Sequence, residues 1–211
     1  AQAAPPLVVG LNEAMAADGP GPVENHGAAV VSDPAQPEIG RFLRATRPLK
    51  RGELVIRELP LLRVKGGRRR LPEEAIKAAG ALRAADFFVP DDSSGVVQKL
   101  RRDGEAGEGD DSFLVRGVLH FNSFAAGVAG RDQCVFRTLA MANHSCAPNC
   151  LVDGDEGTLR AVEDVAEGED LTISYLDDAT LLWPRELRRS ELSGRWDFLC
   201  GCSRCKEPLD D

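Results

Sequence analysis

The sequence predicts a mainly β fold with helical insertions, assembled from several short sheets instead of one continuous one. Apolar residues cluster or alternate over brief runs, and Gly-containing turns at Gly154, Gly157 and Gly168 cut those runs short. The spacing of these runs suggests a meander of short strands and not a parallel sheet. The 211 residues, 43% of them hydrophobic, are enough for one main core.

Taken in order, residues 1–38 are rich in Ala, Pro and Gly and read as a flexible arm, with one strand around 28–31. From Gly40 the pattern changes. Residues 41–46 and 54–58 are strand-like, and Lys50-Arg51-Gly52 between them is turn-like, so the pair reads as a hairpin. Pro72, Glu73 and Glu74 open a helix that carries Ile76, Ala79, Leu82, Ala85 and Phe87, with proline at its first position and acids in its first turn. The Gly-rich acidic tract 103–112 is a solvated loop. A second helix spans 112–124, with Leu114, Val118 and Phe121 on one face. Strand-like runs at 149–152, 159–162 and 170–174 suggest a meander, and 184–192 reads as a last helix leading to Trp196, Phe198 and the final cysteines.

The charge balance excludes some functions. A net charge of −8 argues against direct nucleic-acid binding, which needs a basic surface to release counterions from phosphates, and it suits basic protein partners better. The Arg68-Arg69-Arg70 triplet ahead of a helix reads as a solvated loop. No apolar run reaches the roughly 18 residues of a membrane span, and the opening segment lacks the basic flank of a signal peptide. The chain therefore reads as a soluble protein of the cytoplasm, the nucleus or both.

Six cysteines are too few and too unevenly spaced for a secreted disulfide framework. Half of them, Cys200, Cys202 and Cys205, fall in one tight segment. Soft thiolates at that density favour tetrahedral zinc over magnesium or calcium. A structural site needs a fourth ligand, for which Cys146 is the first candidate, Cys150 the second and His144 the third. Zinc bound in this way would pin the C-terminal tail against the segment around residue 146, with binding energy that counts as folding energy. Cys134, beside Val135 and Phe136, reads as a small buried apolar residue.

Two polar features remain. Asn143-His144-Ser145 follows the apolar stretch Leu139-Ala-Met-Ala142, and Leu171-Thr-Ile-Ser-Tyr175 is a strand ending in the chain's one tyrosine. Together with Pro148-Asn149, Glu167-Gly168-Glu169 and Cys200-x-Cys202-x2-Cys205, in that order, they resemble the SET-domain protein lysine methyltransferases. The resemblance extends to Gly40-Arg-Phe-Leu-Arg-Ala45 with Gly52-Glu53-Leu-Val, and to Asn122-Ser-Phe124. Within that family, the NHSCxPN segment and the ending from Arg188-Arg189 through Trp196 and Phe198 to the cysteines look most like the SMYD branch. The chain departs from that branch in two places: no MYND finger is recognisable, and the family's Gly-x-Gly turn is Gly40-Arg-Phe42 here.

The resemblance implies a SET β-clip fold of short sheets over 39–178, with a helical or loop insertion at about 63–125 and a pseudoknot-like C-terminal region. A post-SET helix and zinc-binding tail would follow over 179–211. It implies S-adenosylmethionine as cofactor, bound by Gly40, Arg41, Asn122, Asn143, His144 and Phe198, with Tyr175 catalytic and zinc on Cys146, Cys200, Cys202 and Cys205. The implied reaction is methyl transfer to a lysine side chain of a protein, histone or not, by a monomer. The alternative is a catalytically inactive SET module that serves as a zinc-stabilised protein-interaction or repressor domain.

Overall fold

The computed structural model describes residues 23–32, 40–66, 73–84, 87, 89–104 and 109–207. Pro72 and the Arg68–70 triplet lie outside them. Eleven short strands are arranged in three sheets, and seven helices flank them, among the described residues. The first sheet runs in the order β1 (Glu24–Asn25), β4 (Leu54–Arg57), β10 (Thr158–Ala161), β9 (Cys150–Asp153). The second runs β2 (Ala28–Ser32), β3 (Arg41–Ala45), β11 (Asp170–Ile173), β8 (Asn143–His144). The third runs β5 (Leu62–Val64), β7 (Asp132–Val135), β6 (Ser123–Ala126). This is the mainly β architecture of short sheets that the sequence predicts.

The predicted hairpin over 41–58 does not form, because β3 and β4 belong to different sheets. Leu49 exchanges both backbone hydrogen bonds with Val165, at 2.9 and 3.0 Å, which draws the chain away from β3. Both edges of β3 are then taken, by β2 on one side and β11 on the other. Residues 24–32 of the expected arm are thus built into two sheets. The expected meander is also only half right: β9 and β10 form an antiparallel hairpin, but β11 leaves it to pair with β3 and, in parallel, with β8.

The hairpin turn needs glycine at Gly157, where φ is +62° and a Cβ would lie 2.1 Å from the Glu58 carbonyl oxygen. The main core packs between the first two sheets, with Leu43, Leu49, Ile56, Leu139, Leu159 and Leu171 fully enclosed.

The first predicted helix is broken into α1 (Glu73–Lys77) and α2 (Ala79–Ala84). Helix α3 (Gly95–Arg102) follows, capped by the Ser94 hydroxyl, which accepts from the Val97 N–H. Helix α4 (Asp110–Asn122) begins inside the acidic tract that reads as loop, because Asp110 and Asp111 sit favourably at its positive N-terminal end. It stops two residues earlier than predicted. The Ser123 hydroxyl donates to the Leu119 carbonyl, and the chain turns into β6, whose pairing with β7 carries Phe124 onto Phe136 at 5.8 Å between ring centres. Leu82, Val115, Val118 and Leu119 join Leu62, Val64 and Val135 in a second core beneath the third sheet.

Two further helices, α5 (Asp178–Leu181) and α6 (Arg185–Trp196), follow β11, and α7 (Ser203–Lys206) closes the described chain. The predicted last helix over 184–192 is α6, with Pro184 at its N-cap.

One buried carboxylate holds the entry to the Asn143 segment. Glu58 is 3% exposed, and its Oε1 accepts the N–H groups of Thr138 and Leu139 at 2.8 and 2.6 Å. Burial outweighs those bonds and raises its pKa. The folded chain therefore holds this proton more tightly than the unfolded chain, and Glu58's contribution falls as pH rises through its folded pKa. Glu58→Gln keeps both acceptor bonds without the charge, so at pH 7 it should match or exceed wild-type stability, with the gap closing towards pH 4. Glu58→Ala should cost about 2 kcal/mol by stranding two buried N–H groups. Urea unfolding of the three proteins across pH measures both effects.

Candidate active site and metal centre

Strand β11 is the axis of the site. It runs parallel to β8, with Thr172 opposite Asn143 and Ile173 opposite His144, and antiparallel to β3, with Leu171 opposite Leu43. The start of β3 therefore lies at the same end of the sheet as the finish of β8 and β11. Gly40, Arg41, His144 and Tyr175 are brought to that one end. Gly40 has φ +70° and open space around its α-carbon, so glycine is needed there for conformation and not for clearance.

Asn149 locks the other end of this arrangement. Its side chain donates to the Asp170 carbonyl at 2.9 Å and accepts the Thr172 N–H at 2.8 Å, substituting for the strand pairing that Pro148 cannot supply. The motif's Pro-Asn pair thus has a visible mechanical purpose.

Tyr175 leaves β11 with its phenol pointing back, donating to the Ala142 carbonyl at 3.0 Å. Burial raises its pKa well above the usual phenol range, so the group is neutral at pH 7. With its proton committed to Ala142, the oxygen retains lone pairs for another partner. His144 lies beside it, with ring centres 5.3 Å apart. Both imidazole nitrogens are used internally: Nδ1 accepts the Tyr175 N–H at 3.0 Å, and Nε2 lies 3.3 Å from Cys146 Sγ. Burial, with Arg188 nearby, pushes His144 down to about 4, so its ring is neutral. What His144 offers a ligand is its ring face and main chain. The side-chain amide of Asn143 has no hydrogen-bond partner among the described residues, which leaves a donor and an acceptor for one.

The tail supplies the aromatic wall. Helix α6 ends at Asp197 in the left-handed conformation, φ 63°, which reverses the chain and turns Phe198 towards the sheet. The Phe198 ring lies 6.0 Å from His144 and 6.3 Å from Tyr175, and Trp196 lies 5.4 Å from Tyr175. Trp196, which the sequence places only in the family-like ending, stands against Tyr175; its position next to the Phe198 segment was the available signal. Asn122 is buried at the end of α4, and His120, within its last turn, reaches the Arg195 carbonyl at 2.7 Å. That contact carries the end of α4 to the same tail.

The four sulfurs of Cys146, Cys200, Cys202 and Cys205 lie within 4.8 Å of one another. Cys146 Sγ is 3.9 Å from Cys200 Sγ and 3.6 Å from Cys205 Sγ. A tetrahedral zinc with Zn–S bonds of about 2.3 Å sets its sulfurs about 3.8 Å apart, so the donor set fits the metal. Cys150, the second candidate ligand, instead sits in the main core opposite Ala161. His144, the third, touches the cluster only through Cys146.

As thiols, Cys146 is raised to about 11 by burial and Cys200 is raised as well. Burial also acts to raise Cys202, but N–H groups of Cys205 and Cys146 and neighbouring thiols outweigh it and bring it down to about 6. Metal binding displaces these protons.

Four thiolates around a divalent cation leave an excess of negative charge, and cationic side chains surround it. Arg188 is fully buried and donates to Cys205 Sγ at 3.6 Å and to the Trp183 carbonyl at 2.6 Å. Arg189 reaches the Cys200 carbonyl at 3.0 Å, and Arg204 reaches the Leu181 carbonyl at 2.7 Å.

The sequence profile described as the SET domain matches residues 40–176, and the chain belongs to the SET-domain family. A histone-lysine N-methyltransferase SET5 of the yeast Scheffersomyces stipitis is 40% identical over 83 residues, covering 37% of this chain and 17% of that protein. Human histone-lysine N-methyltransferase SMYD3 is 42% identical over 74 residues, 34% of this chain and 17% of that protein. Mouse Smyd1 is 32% identical over 114 residues, 45% of this chain and 23% of that protein. The chain thus spans about a fifth of the length of these curated relatives. Among solved structures, the SET domain of LSMT bound to lysine and AdoHcy aligns with 85% of this chain and 53% of that chain, at TM-score 0.42 and 11% identity. The SMYD-like motif order seen in the sequence agrees with these relatives.

Elemental analysis should find one zinc per folded chain. Cys146→Ser and Cys202→Ser should lower zinc content and melting temperature together, whereas Cys150→Ser should leave zinc content unchanged. Retention of zinc by both of the first two variants would remove Cys146 and Cys202 from the site.

Proposed function

We propose that this chain transfers a methyl group from S-adenosylmethionine to the side-chain amine of a lysine in a protein. The observation that carries the reading is the neutral Tyr175 phenol at the end of β11. Its proton is given to Ala142, its oxygen is still able to accept, and it is flanked by His144, Trp196 and Phe198. A non-catalytic binding module has no need of that arrangement.

The residues present suit the cofactor. Trp196 and Phe198 are half-buried and present aromatic faces for stacking, and Asn143 keeps its amide for polar edges of a nucleoside. Gly40 and Arg41 stand at the same sheet end for a carboxylate-bearing arm. Asn122, held near the tail, completes the set. When bound, S-adenosylmethionine supplies an electrophilic methyl on a positively charged sulfur.

The protein's part is alignment. Tyr175 accepts a hydrogen bond from the incoming amine and holds its lone pair on line, a positional and electrostatic contribution without covalent help. A lysine enclosed by aromatic rings beside positive charge loses its proton readily, because desolvation and like charge both disfavour the ammonium. No strong base is then required. The net charge of −8 favours a basic, lysine-bearing segment as substrate, and the chain acts as a monomer in the cytoplasm or nucleus without direct nucleic-acid contact. No described helix is long and apolar enough to cross a membrane.

Tyr175→Phe should keep S-adenosylmethionine affinity by calorimetry and lose methyl transfer by roughly 100-fold, comparable to deletion of one preorganised polar group in other active sites. Full activity of this variant in a radiolabelled methyl assay on a peptide array would sink the assignment.

A further inference from the structure

The contacts of His144 connect the cysteine cluster to the tyrosine. A backbone N–H can only donate, so the 3.0 Å contact from the Tyr175 N–H requires a lone pair on His144 Nδ1. In the neutral ring the proton is then on Nε2, which faces Cys146 Sγ at 3.3 Å. A metal-bound thiolate is an acceptor, and a stronger one than a thiol. The ring thus bridges the cluster and the tyrosine, accepting from Tyr175 at one end and facing the Cys146 sulfur at the other.

We propose that His144 is a positioning residue that couples the four-cysteine site to Tyr175: Cys146 Sγ holds the Nε2 end of the ring, which fixes the ring so that Nδ1 anchors the Tyr175 backbone and sets the phenol against the Ala142 carbonyl. This rests on the reading of Tyr175 as the group that aligns the amine. It gives the metal a second task besides securing the tail. Loss of the metal frees the Cys146 side chain from its fixed place among the four sulfurs. The ring then loses the contact that orients it, and the tyrosine loses its anchor. The same geometry explains why a histidine stands here and not another polar residue: no other side chain donates at one end and accepts at the other across a rigid ring.

The full chain loaded with cadmium-113 and labelled with nitrogen-15 histidine tests the link without substrate. The expected result is an Nε2–H tautomer for His144 and a scalar coupling between cadmium and that proton through Cys146 Sγ. An Nδ1–H tautomer, or no coupling with the tautomer assigned, overturns the proposal. A second arm uses variants that differ in which end they retain. Asn at 144 keeps an acceptor where Nδ1 stood, and Ala keeps neither end. His144→Ala should lower kcat by about 10–100-fold, the usual cost of losing a residue that orients a metal or catalytic group. His144→Asn should recover most of that loss, with zinc content near wild type in both. If His144→Asn does no better than His144→Ala while folded and zinc-loaded, the anchoring role is wrong. A wild-type chain that methylates no peptide overturns the methyltransferase reading, whereas the cadmium coupling is read independently of it.

Discussion

Strand β11 is hydrogen-bonded on both sides, by partners from distant parts of the chain running in opposite directions. Everything in the site follows from that double pairing. The antiparallel bond to β3 brings the turn at Gly40 to its finish, and the parallel bond to β8 sets His144 beside Ile173. Because side chains alternate across a strand, a slip of one residue would turn Leu171 and Ile173 out of the core. The burial of those two residues fixes the register, and the register fixes where Tyr175 begins. Asn149 reinforces the same constraint by bonding to the backbone of β11 at two points.

Much of this was legible in the sequence, and the parts that were not share a physical cause. Strand positions showed as short apolar runs because each strand buries one face. The cysteines showed their purpose by crowding, and the structure brings Cys146 to them as the first candidate among three. Strand partners were invisible, since the ion pair between Arg44 and Asp170 joins residues 126 apart and no local pattern encodes such a pairing. The hairpin expected over 41–58 failed for that reason: turn-like residues at 50–52 are equally compatible with a crossover between sheets. The C-terminal limit of α4 was missed because a serine hydroxyl and a waiting strand partner end it, not a proline or glycine.

Of the site residues the resemblance implies, the fold brings Tyr175 and Phe198 into ring contact with each other. His144 lies with them, yet its ring is occupied on both sides by the protein, which a motif cannot reveal. Arg188 is a comparable case. A fully enclosed guanidinium is expensive to desolvate unless it meets strong acceptors, and here it lies against sulfur and a main-chain carbonyl. In the sequence it is one of two consecutive arginines on an otherwise polar helix, indistinguishable from a solvated charge.

The sulfur contact between Cys146 and Cys205 spans 59 residues and closes with nearly the last part of the described chain. During synthesis on the ribosome, the sheet carrying Tyr175 can form while the rings of Trp196 and Phe198 are still unmade. A nascent chain at that stage has the tyrosine but no wall around it. The aromatic wall around Tyr175 is therefore complete only once the tail has been made and has folded back.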